Sequence, residues 1–468
     1  MKKRTDSRRS SPKPLDGETL RKAVGWAIDD GILAKLKFHG NTSWVALDLI
    51  LLAVVWVWSS NSTLTGAFAE AHAWSLNVLG RVALGTYQGF LKSLVSATAG
   101  LLPVIACQLH RSMQTNGGSH WRIGRWLPIA VDGSRISVPR TEKNERAFCA
   151  PNFGKSAAAR HRRKKRRAKG IRRRSKQKAQ PVKPQIWLTL LWHMGLCMPW
   201  RWKSGPSNSS EREHFRTMLS EQKFPENTLF CADAGFTGYD LWSAILAGGH
   251  SFLIRVGANV KLLRKYGSFR TSNGIVYFWP NKIAGRGQPP LVLRLLQLQV
   301  GRRKMWLVTN VLDEKELSEA EAVRFYRLRW GIELQFRTVK QTFGRNKLRS
   351  RTPDRAMVEL DWALLGLWLI QLFAVKEQIE IGEVPEQCSV SLAIQVIRSM
   401  IANVWVRSEK SFGERMGDAQ KDSYQRKRPK AARYRPESKD KPAAGKPKIQ
   451  TMNRQQKIRL EECLNTAA

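Results

Sequence analysis

Acidic residues are the conspicuous shortage in this chain. Across 468 residues, 37 Asp and Glu stand against 80 Lys and Arg, a formal net charge of +43. No acidic residue falls between Glu145 and Glu211. Self-repulsion on that scale is tolerable only opposite a polyanion, and nucleic acid is the leading candidate. An anionic membrane surface is the rival, but it needs a basic amphipathic helix or an anchor, and the sequence shows neither. Spanning segments are not expected either: the most membrane-like stretch, Leu49–Trp58, follows Asp48 and is shorter than the roughly 20 residues a span requires. The opening MKKRTDSRRSSPKP is basic with no apolar run behind it, so no secretory signal is expected. Cysteine is sparse. Cys107, Cys149, Cys197, Cys231, Cys388 and Cys463 include no CxxC pair and no neighbouring histidine cluster. That excludes a zinc ribbon or a disulfide framework and fits a reducing cytosol.

What is present is enough to fold. A hydrophobic content of 42% with 18 tryptophans excludes a wholly disordered chain, and the length allows two or three domains. From Gly17 to about Met113 the apolar residues recur at helical spacing, and QTNGGSH at 114–120 marks a boundary. Strand-like runs follow at Leu127–Val131, Gln185–Gly195, Thr228–Ala232 and Ser251–Val256, with a helix opening at Ser210 and Glu213. Residues 257–311 are rich in β-formers and turns, and Arg355–Glu377 and Pro385–Val406 read as long helices. Lys155–Lys183 holds 15 Lys or Arg, a run that reads both as a solvated loop and as a nucleic-acid-binding one. From Arg407 the chain is basic and poor in apolar residues, which predicts disorder.

Residues 326–340 read YRLRWGIELQFRTVK and place Tyr326, Arg329, Glu333 and Lys340 at offsets of 0, 3, 7 and 14. On one helix, turning about 100° per residue, these four fall within a sector of roughly 60°. Ser318 and Glu321 form a capping box ahead of them. Taken alone, the face reads as a solvated surface with an i,i+4 pair between Arg329 and Glu333. A carboxylate flanked by phosphate-seeking groups also suits metal-dependent chemistry on a nucleic-acid backbone. Two aspartates add to it. Asp132 follows Leu127–Val131 and begins an expected Asp132-Gly133 turn, and Asp233 follows Thr228–Ala232. Singly, such aspartates mostly cap or turn. Strand ends in an open α/β sheet converge on one edge, however, so both could approach each other and a crossing helix could add Glu333. Three carboxylates so placed could hold two Mg²⁺ about 3.5–4 Å apart.

VDGS at 131–134, ADAGF at 232–236 and the Y-(2)-R-(3)-E-(6)-K spacing together resemble the DDE transposases of bacterial insertion sequences, in the branch called the insertion-sequence-four family. The resemblance runs from about residue 120 to 375. It implies an α/β chain with an RNase H-like catalytic domain interrupted by a β-rich insertion, an all-α N-terminal domain and a helical C-terminal region. The expected divisions are a basic arm (1–14), a helical DNA-end-binding domain (15–116), the first catalytic part (117–256, with 155–183 as a basic loop) and the insertion (257–311). The second catalytic part (312–378), C-terminal helices (379–406) and a disordered basic tail (407–468) complete them.

The same resemblance implies Asp132, Asp233 and Glu333 as catalytic ligands of two Mg²⁺ ions, with Mn²⁺ able to substitute. Tyr326 and Arg329 would bind transposon-end phosphates, Lys340 would contact the terminal strand, and Trp306 would stack a flipped base. Trp306 stands one residue late for that role, so a β-bulge within Val300–Met305 is expected to restore its face. The implied activity is cut-and-paste transposition: nicking by water, hairpin formation by the freed 3′-hydroxyl, hairpin opening and strand transfer. The implied partners are double-stranded DNA, as terminal inverted repeats and target, and a second copy of the chain, with a cytoplasmic, nucleoid-associated location and no membrane. The alternative is an inactive transposase-derived DNA-binding protein, which loss of an acidic triad residue would favour. Another nuclease of the same fold, such as a resolvase, is opposed by the Tyr and Lys spacing and by the β insertion.

Overall fold

The structure is a computed structural model that describes residues 14–38, 42, 44–82, 84–149, 183–265, 274–279, 288–300, 303–422 and 445–466. All but the last residue of the basic block Lys155–Lys183, and nearly all of the arm 1–14, lie outside the described residues. In chain order the first half holds α1 (Asp16–Ala27), α2 (Asp30–Leu33), α3 (Ala46–Trp58), α4 (Leu64–Leu79), α5 (Tyr87–Asn116), β1 (Leu127–Ser137), α6 (Glu142–Phe148), β2 (Gln185–His193), β3 (Met198–Gly205) and α7 (Glu211–Glu221). Then come β4 (Thr228–Ala232), α8 (Tyr239–Ala247), β5 (Ser251–Val256), β6 (Lys261–Arg264), β7 (Gly274–Phe278), β8 (Leu291–Val300) and β9 (Arg303–Thr309). The remainder holds α9 (Glu319–Leu328), α10 (Gly331–Arg337), α11 (Pro353–Glu380), α12 (Val390–Ala402), α13 (Phe412–Gly417), β10 (Lys448–Thr451) and α14 (Arg454–Thr466).

Two compact units divide these elements, each built from two separated lengths of chain. Met1–Gly118 with Thr338–Lys421 make a helical unit, and Ser119–Arg337 with Asp422–Ala468 make a sheet unit. The expected boundary at 378 therefore shifts: α11 belongs with α1–α5. Its sequence explains why. Both α3 and α11 are apolar on nearly every face, so each is stable only when enclosed by other helices. Pro353 starts α11, where its missing N–H costs nothing. Their buried indoles find acceptors: Trp58 Nε1 donates to the Gly366 carbonyl at 3.0 Å and Trp362 Nε1 to Thr98 Oγ1 at 2.9 Å. Among the described residues α5 and α11, rather than Leu49–Trp58, are long and apolar enough to cross a bilayer by length and composition. Of α11's apolar window 94% is buried, as in a core helix.

The sheet unit is organised on ten strands in the order β10-β6-β7-β8-β9-β5-β4-β1-β2-β3. β1, β4 and β5 run parallel, and β2 and β3 extend the sheet antiparallel from β1. The β-rich stretch expected as an insertion is present but continues the same sheet, because β9 pairs antiparallel with β5 from Val256↔Trp306 to Leu253↔Thr309. Among the described residues the expected bulge does not occur: β8 and β9 keep one register from Arg294↔Thr309 to Val300↔Arg303, and 301–302 lie outside the described residues. The expected disordered tail is also corrected. β10 adds a parallel edge strand beside β6, and α14 follows it. Met452 and Leu460 there pack with Leu263 and Trp279 in a small buried cluster. The region's mean composition conceals this local apolar pattern; residues 423–444 lie outside the described residues. All six cysteines are free thiols.

Candidate active site

Asp132 and Asp233 come together through strand register. β1 and β4 pair in parallel from Leu127↔Thr228 to Val131↔Ala232, so the next residue on each is an aspartate. Neighbouring strands lie about 4.8 Å apart and equivalent residues face the same way, which sets the two carboxyls side by side. One sequence expectation fails here. No turn occurs at Asp132-Gly133; β1 continues to Ser137 against β2, with Asp132↔Leu190 and Gly133↔Thr189. The parallel partner stops and the antiparallel one does not. Asp132 accepts the Gly133 N–H at 2.8 Å, and Asp233 accepts the Gly235 N–H at 2.7 Å in the tight turn after β4.

Glu333 arrives on α10, which packs against β1. The continuous helix expected over 326–340 is broken. α9 ends at Leu328, and the joint runs on shorter hydrogen bonds, Trp330 N–H to Arg327 and Glu333 N–H to Trp330, both at 3.1 Å. Gly331 shows the cause. A Cβ there would stand 2.8 Å from Trp192 Cζ3 on β2, so only glycine lets the start of α10 reach the sheet. After α10 the chain takes a π-helical turn, Thr338–Thr342, that falls in the helical unit and carries a half-buried Lys340. Burial lowers the Lys340 pKa. Tyr326 on α9 and Glu333 on α10 therefore do not share one continuous helix, and Lys340 falls in neither.

Charge couples the acids. Asp132 is pushed up to about 6, chiefly by burial, against the pull of the Gly133 N–H and Arg329 and with added repulsion from Asp233 and Glu333. Burial likewise raises Glu333, with Arg329 opposing and Asp233 reinforcing. Arg329 sits among them, 6% exposed, with Nη1 3.7 Å from Asp132 Oδ2 and its guanidinium 5.1 Å from the Tyr326 ring centroid. Its Nε and Nη1 are buried without a hydrogen-bond partner, a costly state that an anionic ligand would relieve. Tyr326 is buried too, and its pKa is raised by that burial.

Three residues near these groups escape sequence reasoning. Arg255 on β5 acts electrostatically on Tyr326 and opposes the rise that burial causes. Trp330, in the joint between α9 and α10, is 57% exposed. Glu211 opens α7, and its pKa is raised to about 7 by burial, then by Asp132 and Asp233. Trp306, by contrast, is 6% exposed on β9, with the Lys446 ammonium 5.3 Å from its ring centroid.

Among the described residues no three Asp, Glu, His or Cys side chains close into a ready-made ion cage. Bare carboxylates repel one another, and Arg329 attracts Asp132 and Glu333. The donor set still fits a hard divalent cation: it is all oxygen, partly buried and short of positive charge.

Residues 127–369 match the family described as "Transposase DDE domain". Transposase InsG for insertion sequence element IS4 of Escherichia coli (strain K12) is 29% identical over 228 residues, which cover 46% of this chain and 50% of that protein. The chain thus spans about half the length of this curated relative. A piggyBac transposase synaptic complex with hairpin DNA, solved by cryo-EM, is similar at 12% identity and a TM-score of 0.39, over 88% of this chain and 83% of that one. That likeness is too distant to place any residue.

Proposed function

The chain belongs to the family of transposases with a DDE domain, matched from residue 127 to 369, and on that premise we propose that it is the cut-and-paste transposase of a bacterial insertion sequence. The observation that carries the reading is the convergence of Asp132, Asp233 and Glu333 from three separate elements around a buried, unsatisfied Arg329. We read β3-β2-β1-β4-β5 as an RNase H-like core, supported by three parallel central strands and an antiparallel pair outside them.

In this reading Asp132, Asp233 and Glu333 hold divalent cations, two Mg²⁺ or Mn²⁺ in their place. Held there, the cations would supply an activated water or 3′-hydroxyl and charge to stabilise the leaving oxygen. Arg329 offers its free N–H groups to the phosphate being cut, and Tyr326 keeps the guanidinium oriented from one side. Lys340 contacts the terminal strand. Trp306 can stack a flipped base only if Lys446 gives way, so the exposed Trp330 is the freer aromatic platform. Double-stranded DNA, as terminal repeats and target, is the substrate; the working form is a homodimer, cytoplasmic and nucleoid-associated.

Asp132→Ala, Asp233→Ala and Glu333→Ala should each abolish cleavage of the cognate ends while gel shifts show near-normal end binding, since affinity comes mainly from Lys and Arg on phosphates. A variant that nicks at the wild-type rate loses its place in the triad. A wild-type chain that binds ends and never nicks them is the inactive DNA-binding protein instead.

A further inference from the structure

Side-chain alternation separates the two faces of β1. Ala130 pairs with Trp192, the indole on which Gly331 of α10 rests, so Asp132, two residues on, faces α10. Gly133 pairs with Thr189, whose hydroxyl lies 3.0 Å from His214 Nδ1 on α7, so Gly133 faces α7. Glu211 is the first residue of α7, and its side chain fills the space a residue at 133 would otherwise take. A Cβ on Gly133 would stand 2.6 Å from Glu211 Cδ, and one on Gly235 would stand 3.7 Å from Glu211 Oε2. One carboxylate therefore spans from the glycine after Asp132 to the glycine two residues after Asp233.

We propose that Glu211 is a fourth carboxylate of the cation site, reaching it from the α7 face through the gap left by Gly133. The proposal rests on the active-site reading above. Acids in a first helical turn commonly serve the helix dipole, but Glu213 already does so on α7, and Ser210 provides the cap. Glu211 instead turns toward the strand ends, where Arg135 attracts it and the Trp187 indole is a hydrogen-bond donor to it, but both leave it beside two further acids, Asp132 and Asp233. Gathering that carboxylate with Asp132 and Asp233 is unfavourable unless positive charge is shared among them. Arg329 points independently to a ligand: it is 6% exposed and ion-paired with Asp132 at 3.7 Å, yet its Nε and Nη1 have no hydrogen-bond partner, and an anion accompanying a cation would satisfy both signs of charge.

The test is Mn²⁺ affinity of the full-length protein without DNA, read by electron paramagnetic resonance of the free ion. Glu211→Gln keeps shape and removes charge, and should weaken Mn²⁺ binding about tenfold while unfolding in EDTA at or above the wild-type temperature. Gly133→Ala should produce a similar loss with Glu211 intact, because the methyl displaces the carboxylate. Glu211→Asp, one methylene shorter, should fall between. If Asp132→Asn loses Mn²⁺ while Glu211→Gln and Gly133→Ala bind it like wild type, Glu211 is not a ligand and the active-site reading stands. If Asp132→Asn also binds like wild type, that reading itself fails. A Glu211→Gln chain that unfolds at a lower temperature in EDTA makes Glu211 structural and overturns the proposal.

Discussion

In the helical unit, Glu359 is fully shielded from solvent. Its oxygens accept the Arg349 N–H at 3.2 and 3.0 Å and the Ser350 N–H at 2.9 Å, and the Arg345 guanidinium lies 3.7 Å away. In the sheet unit, Asp132 accepts one N–H, from its own neighbour, shares a distant Arg329, and is repelled by other acids. Glu359 is fully buried, whereas the Asp132 side chain keeps 18% of its surface exposed. The first is surrounded by donors and fixes the turn before α11; the second is surrounded by its own kind. Supply of donors, together with depth of burial, separates a carboxylate that holds the fold from one kept for chemistry.

The sharpest way to break that comparison is to remove both. Glu359→Ala should cost about 3–5 kcal/mol in urea unfolding, since it leaves Arg345 and two N–H groups buried without a partner. Asp132→Asn should leave stability unchanged or raise it, through lost repulsion. Equal losses would show that the two acids do the same work.

Positioning sharpens the contrast further. Glu359 rides on a 28-residue helix, whereas Glu333 rides on a helix of 7 residues seated on Trp192 through Gly331. Gly331→Ala should lift that seat. A displacement of about 1 Å can cost about a hundredfold in rate, so end cleavage should fall on that order while urea unfolding changes little. Wild-type cleavage would mean that Glu333 does not depend on the seat.

The smallest expected effect is on pH dependence. Asp132 and Glu211, raised to about 6 and about 7, keep protons in the folded chain that the unfolded chain releases near pH 4. Their contribution to stability is therefore complete below about pH 4 and is lost as pH rises through 6 to 7. In EDTA, thermal unfolding of the wild type should fall across that window relative to Asp132→Asn. Parallel curves would show that Asp132 carries no such shift.

How much was legible follows from distance along the chain. Tyr326, Arg329 and Glu333 are close neighbours, so their spacing was visible, although only the two aspartate motifs elsewhere lifted it above a solvated helix face; Gly331 within the run was the available sign that the helix would break there. The two aspartates were visible as ends of apolar runs, although β1 passes Asp132 because β2 stays paired where β4 stops. Glu211 was hidden behind a hairpin and a capping sequence that explained it adequately. The unit to which α11 belongs could not be read, because a helix apolar on all sides gives no direction to its partner. The 407–468 stretch misled by its average: Met452 and Leu460 are few, but they are well spaced to meet Leu263 and Trp279.

The two units alternate along the chain, first helical, then sheet, then helical, then sheet. During synthesis α1–α5 must wait for α11 until β1–β9 have left the ribosome, and β6 keeps an unpaired edge until β10 emerges later still. Closing such distant contacts is slow, and an open strand edge invites pairing with another chain. A nascent chain halted after α11 would thus display an uncapped sheet edge, and yield in a cell should depend on how quickly residues 445–466 follow.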